Sequence, residues 1–120
     1  MQKRILVVDD DSMNLTRTKM ILSEHYNVLF AESGEEALKK LKNENIDLVL
    51  LDIAMPGMDG LETFEHMKEL TIDVPVIFLT ASGDEGDVLS AIKLGAANYL
   101  KKPYYPQELL KRVAKEFEES

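Results

Sequence analysis

The chain has 120 residues, with 22 Asp and Glu against 14 Lys and Arg, a net charge of −8. It has no cysteine, which excludes disulfide frameworks, thiol chemistry and Cys-based zinc sites, and an acidic domain is a poor non-specific binder of nucleic-acid phosphates. No apolar run approaches the ~20 residues of a membrane span, and Ile5 to Val8 is too short for a signal peptide. The expectation is one compact domain over residues 1–120, cytoplasmic, with no membrane or direct nucleic-acid partner.

Residues 3–8 are predicted as the first strand. Ile5, Leu6, Val7 and Val8 are an unbroken apolar run, as in a strand covered on both faces. Asp9, Asp10 and Asp11 end it. Ser12 is expected to cap a helix over residues 13–24, with Leu15, Thr18 and Leu22 on one side. Asn27–Ala31 reads as a short edge strand. Ser33 and Glu36 have capping-box spacing and open a helix with Ala37, Leu38 and Leu41 on its inner face, broken at residues 43–45.

Residues 47–52 form the third predicted strand, apolar from Leu48 to Leu51 and ending on Asp52. Pro56 and Gly57 mark a turn. Asp59, with Glu62 three residues on, caps a helix whose inner face is Leu61, Phe64 and Met67. Val76–Thr80 is a fourth, nearly all-apolar strand. Ser82 and Glu85 are a second candidate capping box. The helix behind them runs to Leu94 with Val88, Leu89 and Ile92 inward, Gly95 as its stop, and a first turn that Gly83 and Gly86 are expected to make mobile. Asn98–Lys101 is the fifth strand. Pro106 suits the first position of the last helix, in which Leu109, Leu110, Val113, Ala114 and Phe117 form the clearest apolar stripe.

Five strand–helix pairs in strict alternation imply βαβ units and a parallel sheet with helices on both faces. Strands one, three and four are the most apolar and are expected at the centre. This makes an α/β, (βα)5, doubly wound sheet of flavodoxin-like order 2-1-3-4-5. All strand C-termini then lie at one rim, where Asp9 and Asp10, Asp52, Thr80 and Lys102 converge. Three carboxylates in a small space repel one another unless a cation intervenes. All-oxygen ligation suits a hard cation, Mg2+ first, with Mn2+ as a substitute. A metal, the Lys102 ammonium and the Thr80 hydroxyl around a carboxylate are the parts needed for phosphoryl transfer onto Asp52 as nucleophile. Lys101 is expected at the surface, since neighbours in a strand alternate faces. His25 and His66 have no ligand-like spacing and read as surface residues.

At this point VVDDD (Val7 to Asp11), LLDIAMPGMDG (Leu50 to Gly60), LTA (Leu79 to Ala81) and KP (Lys102, Pro103) resemble the receiver domain of two-component response regulators of the chemotaxis-regulator kind. Each motif alone is weak, but the four in this order, each at a strand end, are a specific signal. The resemblance implies that Asp52 accepts a phosphoryl group from the phosphohistidine of a sensor kinase or phosphotransfer protein. It implies that Asp10 and Asp52 ligate Mg2+ directly, Asp9 through water and Ala54 through its carbonyl. It further implies that Lys102 pairs with the phosphoryl oxygens, with the bond before Pro103 cis as in many relatives. Thr80 and Tyr99 would be the switch that reshapes helix four, strand five and helix five for a downstream protein target, in a monomer or a phosphorylation-dependent dimer. Tyr104 stands where relatives often carry Phe, so packing is its simpler reading. Small residues at Ala54 and Ser82 point to an unshielded phosphoryl group.

Three other classes compete. A flavodoxin needs a hydroxyl- and glycine-rich phosphate loop where this chain has Asp9 to Asp11. A haloacid-dehalogenase-type phosphatase places paired acids, Asp-x-Asp, after its first strand, whereas the lone candidate nucleophile here follows strand three. A receiver-like binding module independent of phosphorylation is the alternative within the same fold.

Overall fold

The computed structural model describes residues 2–81 and 85–119. Its elements are β1 (Arg4–Val8), α1 (Ser12–Leu22), β2 (Asn27–Ala31), α2 (Gly34–Asn43), β3 (Leu48–Asp52), α3 (Gly60–Glu69), β4 (Val76–Thr80), α4 (Glu85–Lys93), β5 (Asn98–Lys101) and α5 (Pro106–Glu119). The five strands form one parallel sheet of order β2-β1-β3-β4-β5, the expected (βα)5 arrangement. The three continuous apolar runs occupy the centre because only there are both faces of a strand covered.

Alternation along those strands divides the core in two. Leu6, Val8, Val49, Leu51 and Phe78 face α2, α3 and α4, and pack with Ala37, Leu41, Phe64, Met67, Val88 and Ala91. Ile5, Val7, Leu48, Leu50, Ile77 and Leu79 face α1 and α5, and pack with Leu15, Leu22, Leu109 and Val113. Successive strand residues point to opposite faces, so each five-residue strand serves both layers.

Several local expectations are corrected. The cap of α1 is Asp11, whose side chain accepts from the Met13 amide at 2.9 Å, and Ser12 is the first helical residue. Both are good cap residues, and the carboxylate one position earlier takes the role. The helix stops at Leu22 rather than residue 24. At α2, Ser33 Oγ accepts from the Glu36 amide at 3.1 Å, but Glu36 reaches back to the Glu32 amide instead of closing a box. The Asp59–Glu62 box of α3 is complete. In α4 the inner face is Val88 and Ala91, while Leu89 (61% exposed) and Ile92 (48% exposed) point outward. The two candidate stripes lie one residue, about 100°, apart, and Ala91 turns into the core layer that also holds Phe78, with Tyr99 packed against it. The anticipated Ser82–Glu85 box and the mobility attributed to Gly83 in that turn fall outside the described residues. Gly57 and Gly95 both have positive φ, 73° and 104°, as the predicted turn and helix stop require. Among the described residues no helix is long and apolar enough to cross a membrane.

Candidate functional site

The rim is set by register. Val8 pairs with Ala31 and Leu51, Asp52 with Leu79, and Thr80 with Lys101. Asp9 therefore follows β1 beside the end of β3, and Lys102 follows β5 beside the end of β4. Backbone bonds hold these ends: the Asp9 amide donates to Ala31 O at 3.1 Å, the Ile53 amide to Leu79 O at 3.1 Å and the Lys102 amide to Thr80 O at 2.8 Å. The Lys102–Pro103 peptide is cis. The start of α3 presses directly on the end of β3. The Gly60 amide donates to Ile53 O at 2.9 Å, and a Cβ at Gly60 would stand 2.3 Å from Asp52 O and 2.8 Å from Ile53 Cα. Only glycine permits that approach, a requirement with no signature in the sequence beyond the glycine itself.

Oxygens of Asp9, Asp10 and Asp52 lie within 4.8 Å of one another. Asp9 is 2% exposed and Asp52 6%, whereas Asp10 is exposed. Asp9 Oδ1 accepts from the Asp11 amide at 3.0 Å. Lys102 Nζ lies 3.3 Å from Asp9 Oδ2 and 3.3 Å from Asp52 Oδ2, bridging the two buried acids. Burial pushes the Asp52 carboxyl up to about 6; the Lys102 ammonium opposes that rise, the Asp9 charge adds to it, and hydrogen bonds from Lys102 and the Ala54 backbone oppose it further. Burial draws the Lys102 ammonium down, but Asp52 and Asp9 outweigh it and hold the ammonium above its ordinary value.

The structure thus brings together Asp9, Asp10, Asp52 and Lys102, with Ala54 beside them. Thr80 is at the same rim and 1% exposed, but its hydroxyl turns to the Ala81 carbonyl at 3.2 Å. Tyr99 is further along β5, half-buried, between α4 and α5, where it lines two surface cavities. Lys101 is exposed, as alternation predicts, and His25 and His66 are away from the site, one exposed and one half-buried. Tyr104 is more than packing: its hydroxyl hydrogen-bonds to that of buried Thr18 at 3.0 Å and ties the segment after Lys102 to α1. Eighty-six residues separate the pair, so no local pattern could have disclosed it.

The chemistry of the donor set fits a hard divalent cation. It is all oxygen, it is anionic, and part of its repulsion is already met by one ammonium. Three acids and a lysine at the C-terminal rim of a doubly wound parallel sheet stand where open α/β sheets bind their ligands.

Comparison with known proteins narrows the class. The family model described as the response regulator receiver domain matches residues 5–114. The chain is 40% identical over 114 residues to the alkaline phosphatase synthesis transcriptional regulatory protein PhoP of Bacillus subtilis (strain 168), covering 94% of this chain and 48% of that protein. It is 42% identical over 111 residues to the transcriptional regulatory protein CpxR of Klebsiella pneumoniae, covering 92% and 47%. The solved receiver domain protein (CheY-like) from Methanospirillum hungatei JF-1 is similar at a TM-score of 0.92 and 36% identity, over 99% of this chain and 96% of that one. The chain belongs to the response regulator receiver domain family. It spans about half the length of the curated relatives it matches. Receiver domains are signalling domains of two-component systems, and they bind Mg2+ at an acidic cluster of the kind formed here by Asp9, Asp10 and Asp52.

Proposed function

We propose that residues 1–120 form one receiver domain that accepts a phosphoryl group on Asp52 and returns it to water, acting in the cytoplasm as a switch and not as a turnover enzyme. The observation that carries this reading is the Lys102 ammonium held 3.3 Å from oxygens of both Asp52 and Asp9, inside a cluster of three carboxylates. Asp10 and Asp52 are the direct metal ligands, Asp9 acts through water and Ala54 through its carbonyl. Bound there, Mg2+ supplies positive charge against the phosphoryl oxygens.

The donor is the phosphohistidine of a sensor kinase or phosphotransfer protein. An Asp52 carboxylate oxygen attacks phosphorus, the phosphorus–nitrogen bond breaks, and its electron pair leaves on the imidazole. Lys102 exchanges part of its contact with Asp52 for the new phosphoryl oxygens. The Thr80 hydroxyl, turned to Ala81 O in this state, rotates to donate to the phosphoryl group, and Tyr99 follows inward. The α4–β5–α5 surface changes and controls a protein partner. Incubation with acetyl phosphate and Mg2+ should add one phosphoryl mass to the protein, and Asp52→Asn should abolish it; labelling that persists in that variant would overturn the assignment.

A further inference from the structure

A cavity of about 300 Å³ opens beside the site between α1 and the segment after β5, lined by Asn14, Arg17, Lys102, Pro103 and Tyr104. Its lining is unusual for a chain of net charge −8. It holds two cations and an amide, and among the described residues no carboxylate lines it. Lys102 forms the shared wall, with its ammonium committed to Asp52 and Asp9. Arg17 is exposed and has no hydrogen-bond or ion-pair partner among the described residues, so its guanidinium is available to a ligand. The wall is also held in place: Tyr104 is tied by its hydroxyl to buried Thr18 one residue along α1 from Arg17. An exposed arginine of this kind is most often a solvated surface charge. What separates Arg17 from that reading is its place in a preformed cavity whose opposite wall is the site lysine.

Resting on the phosphoacceptor reading of Asp52, we infer that this cavity is the leaving-group subsite for small acyl phosphate donors, with Arg17 and Asn14 receiving the departing carboxylate. An Asp52 oxygen attacks phosphorus, the phosphorus–oxygen bond to the acyl group breaks, and its electron pair departs on the carboxylate oxygen, with no proton transferred. One full negative charge therefore develops on the leaving oxygen. Lys102 is engaged with the acceptor side, and a second cation beside the leaving group offsets that charge. Guanidinium presents paired N–H donors that match a carboxylate, and the Asn14 amide adds a neutral donor.

The test compares acetyl phosphate with phosphoramidate, which loses neutral ammonia. The rate of Asp52 phosphorylation in Mg2+ is followed by intact-protein mass spectrometry for the parent, Arg17→Ala, Arg17→Lys and Asn14→Ala. Arg17→Ala should lower the acetyl phosphate to phosphoramidate rate ratio about tenfold, the usual worth of one charge-assisted hydrogen bond. Arg17→Lys should restore part of it, and Asn14→Ala should lower it less. A ratio unchanged by Arg17→Ala, or an equal loss with both donors, overturns the subsite. If the parent accepts phosphoryl from neither donor, the phosphoacceptor reading itself fails, and the subsite with it.

Discussion

Burial makes Asp52 a weaker acid in the folded protein than in the unfolded chain. Its acid group is raised to about 6, from burial first and then from Asp9, against the pull of Lys102. A carboxyl whose folded value lies above its unfolded one is better tolerated in the native state when protonated. The native state is therefore relieved at low pH, and that relief is lost as pH rises from about 4 through 6. In metal-free buffer, Asp52→Asn should raise the melting temperature at pH 7.5 by roughly 3–6 °C, the size expected for about 1 kcal/mol in a domain of this length. Parent and variant should converge as pH falls from 6 to below about 4, where Asp52 becomes neutral in the unfolded as well as the folded state; parallel curves across that window would contradict the burial argument. Mg2+ answers the same repulsion from the other side. Excess Mg2+ should stabilise the parent more than Asp52→Asn, and its affinity should weaken as pH falls through 6, where proton and metal compete for one carboxylate. Calorimetric titration at pH 7.5 and pH 5.5 reads this directly.

At the scale of elements, the site depends on how α3 and α4 seat against the sheet. Gly60→Ala would drive a methyl into Asp52 O and Ile53 Cα, both backbone atoms that cannot turn aside. A loss of about 2–3 kcal/mol in urea unfolding is expected, with weakened Mg2+ binding because the displaced strand end carries Asp52. For α4 the observed rotation predicts asymmetry. Leu89→Gln should change stability by no more than about 0.5 kcal/mol, while Ala91→Leu, overpacking the buried layer that Ala91 shares with Phe78, should cost about 1–3 kcal/mol. The reverse ranking would mean the helix is turned by one residue. These two helices also mark where sequence patterns lose their grip. The strand ends were legible because an apolar run that stops on Asp9, Asp52 or Thr80 is read locally, and parallel topology then brings the ends together. The rotation of α4 was not, since Val88 with Ala91 and Leu89 with Ile92 are both apolar pairs at helical spacing. The Gly60 contact, the Tyr104–Thr18 bond and the Arg17 cavity exist only after distant elements pack.

The whole molecule is one sheet with two separate cores, and the site touches them unequally. Asp52 and Thr80 end β3 and β4, and Tyr99 sits on β5 opposite Phe78, packed with the layer that contains α4. The layer of α1 and α5 meets the rim at Lys102 and through the Tyr104–Thr18 tie. A switch built on Thr80 and Tyr99 should therefore act on the β4–β5 edge and spare the β2 edge, which is two strands from Asp52. Beryllofluoride with Mg2+ stands in for the phosphoryl group at Asp52. Amide hydrogen exchange measured with and without it should change at residues 98–105 and along α4, with β2 and α2 at their original rates. Thr80→Val keeps the side chain's shape and removes only the hydroxyl, so it should leave beryllofluoride bound while shrinking the change at β5. Lys102→Ala should weaken the binding itself. If Thr80→Val transmits the full change to residues 98–105, the path from Asp52 to the α4–β5–α5 surface does not run through the Thr80 hydroxyl. Protection spread evenly over both edges would mean that ligand binding tightens the whole sheet instead of throwing a switch at one side of it.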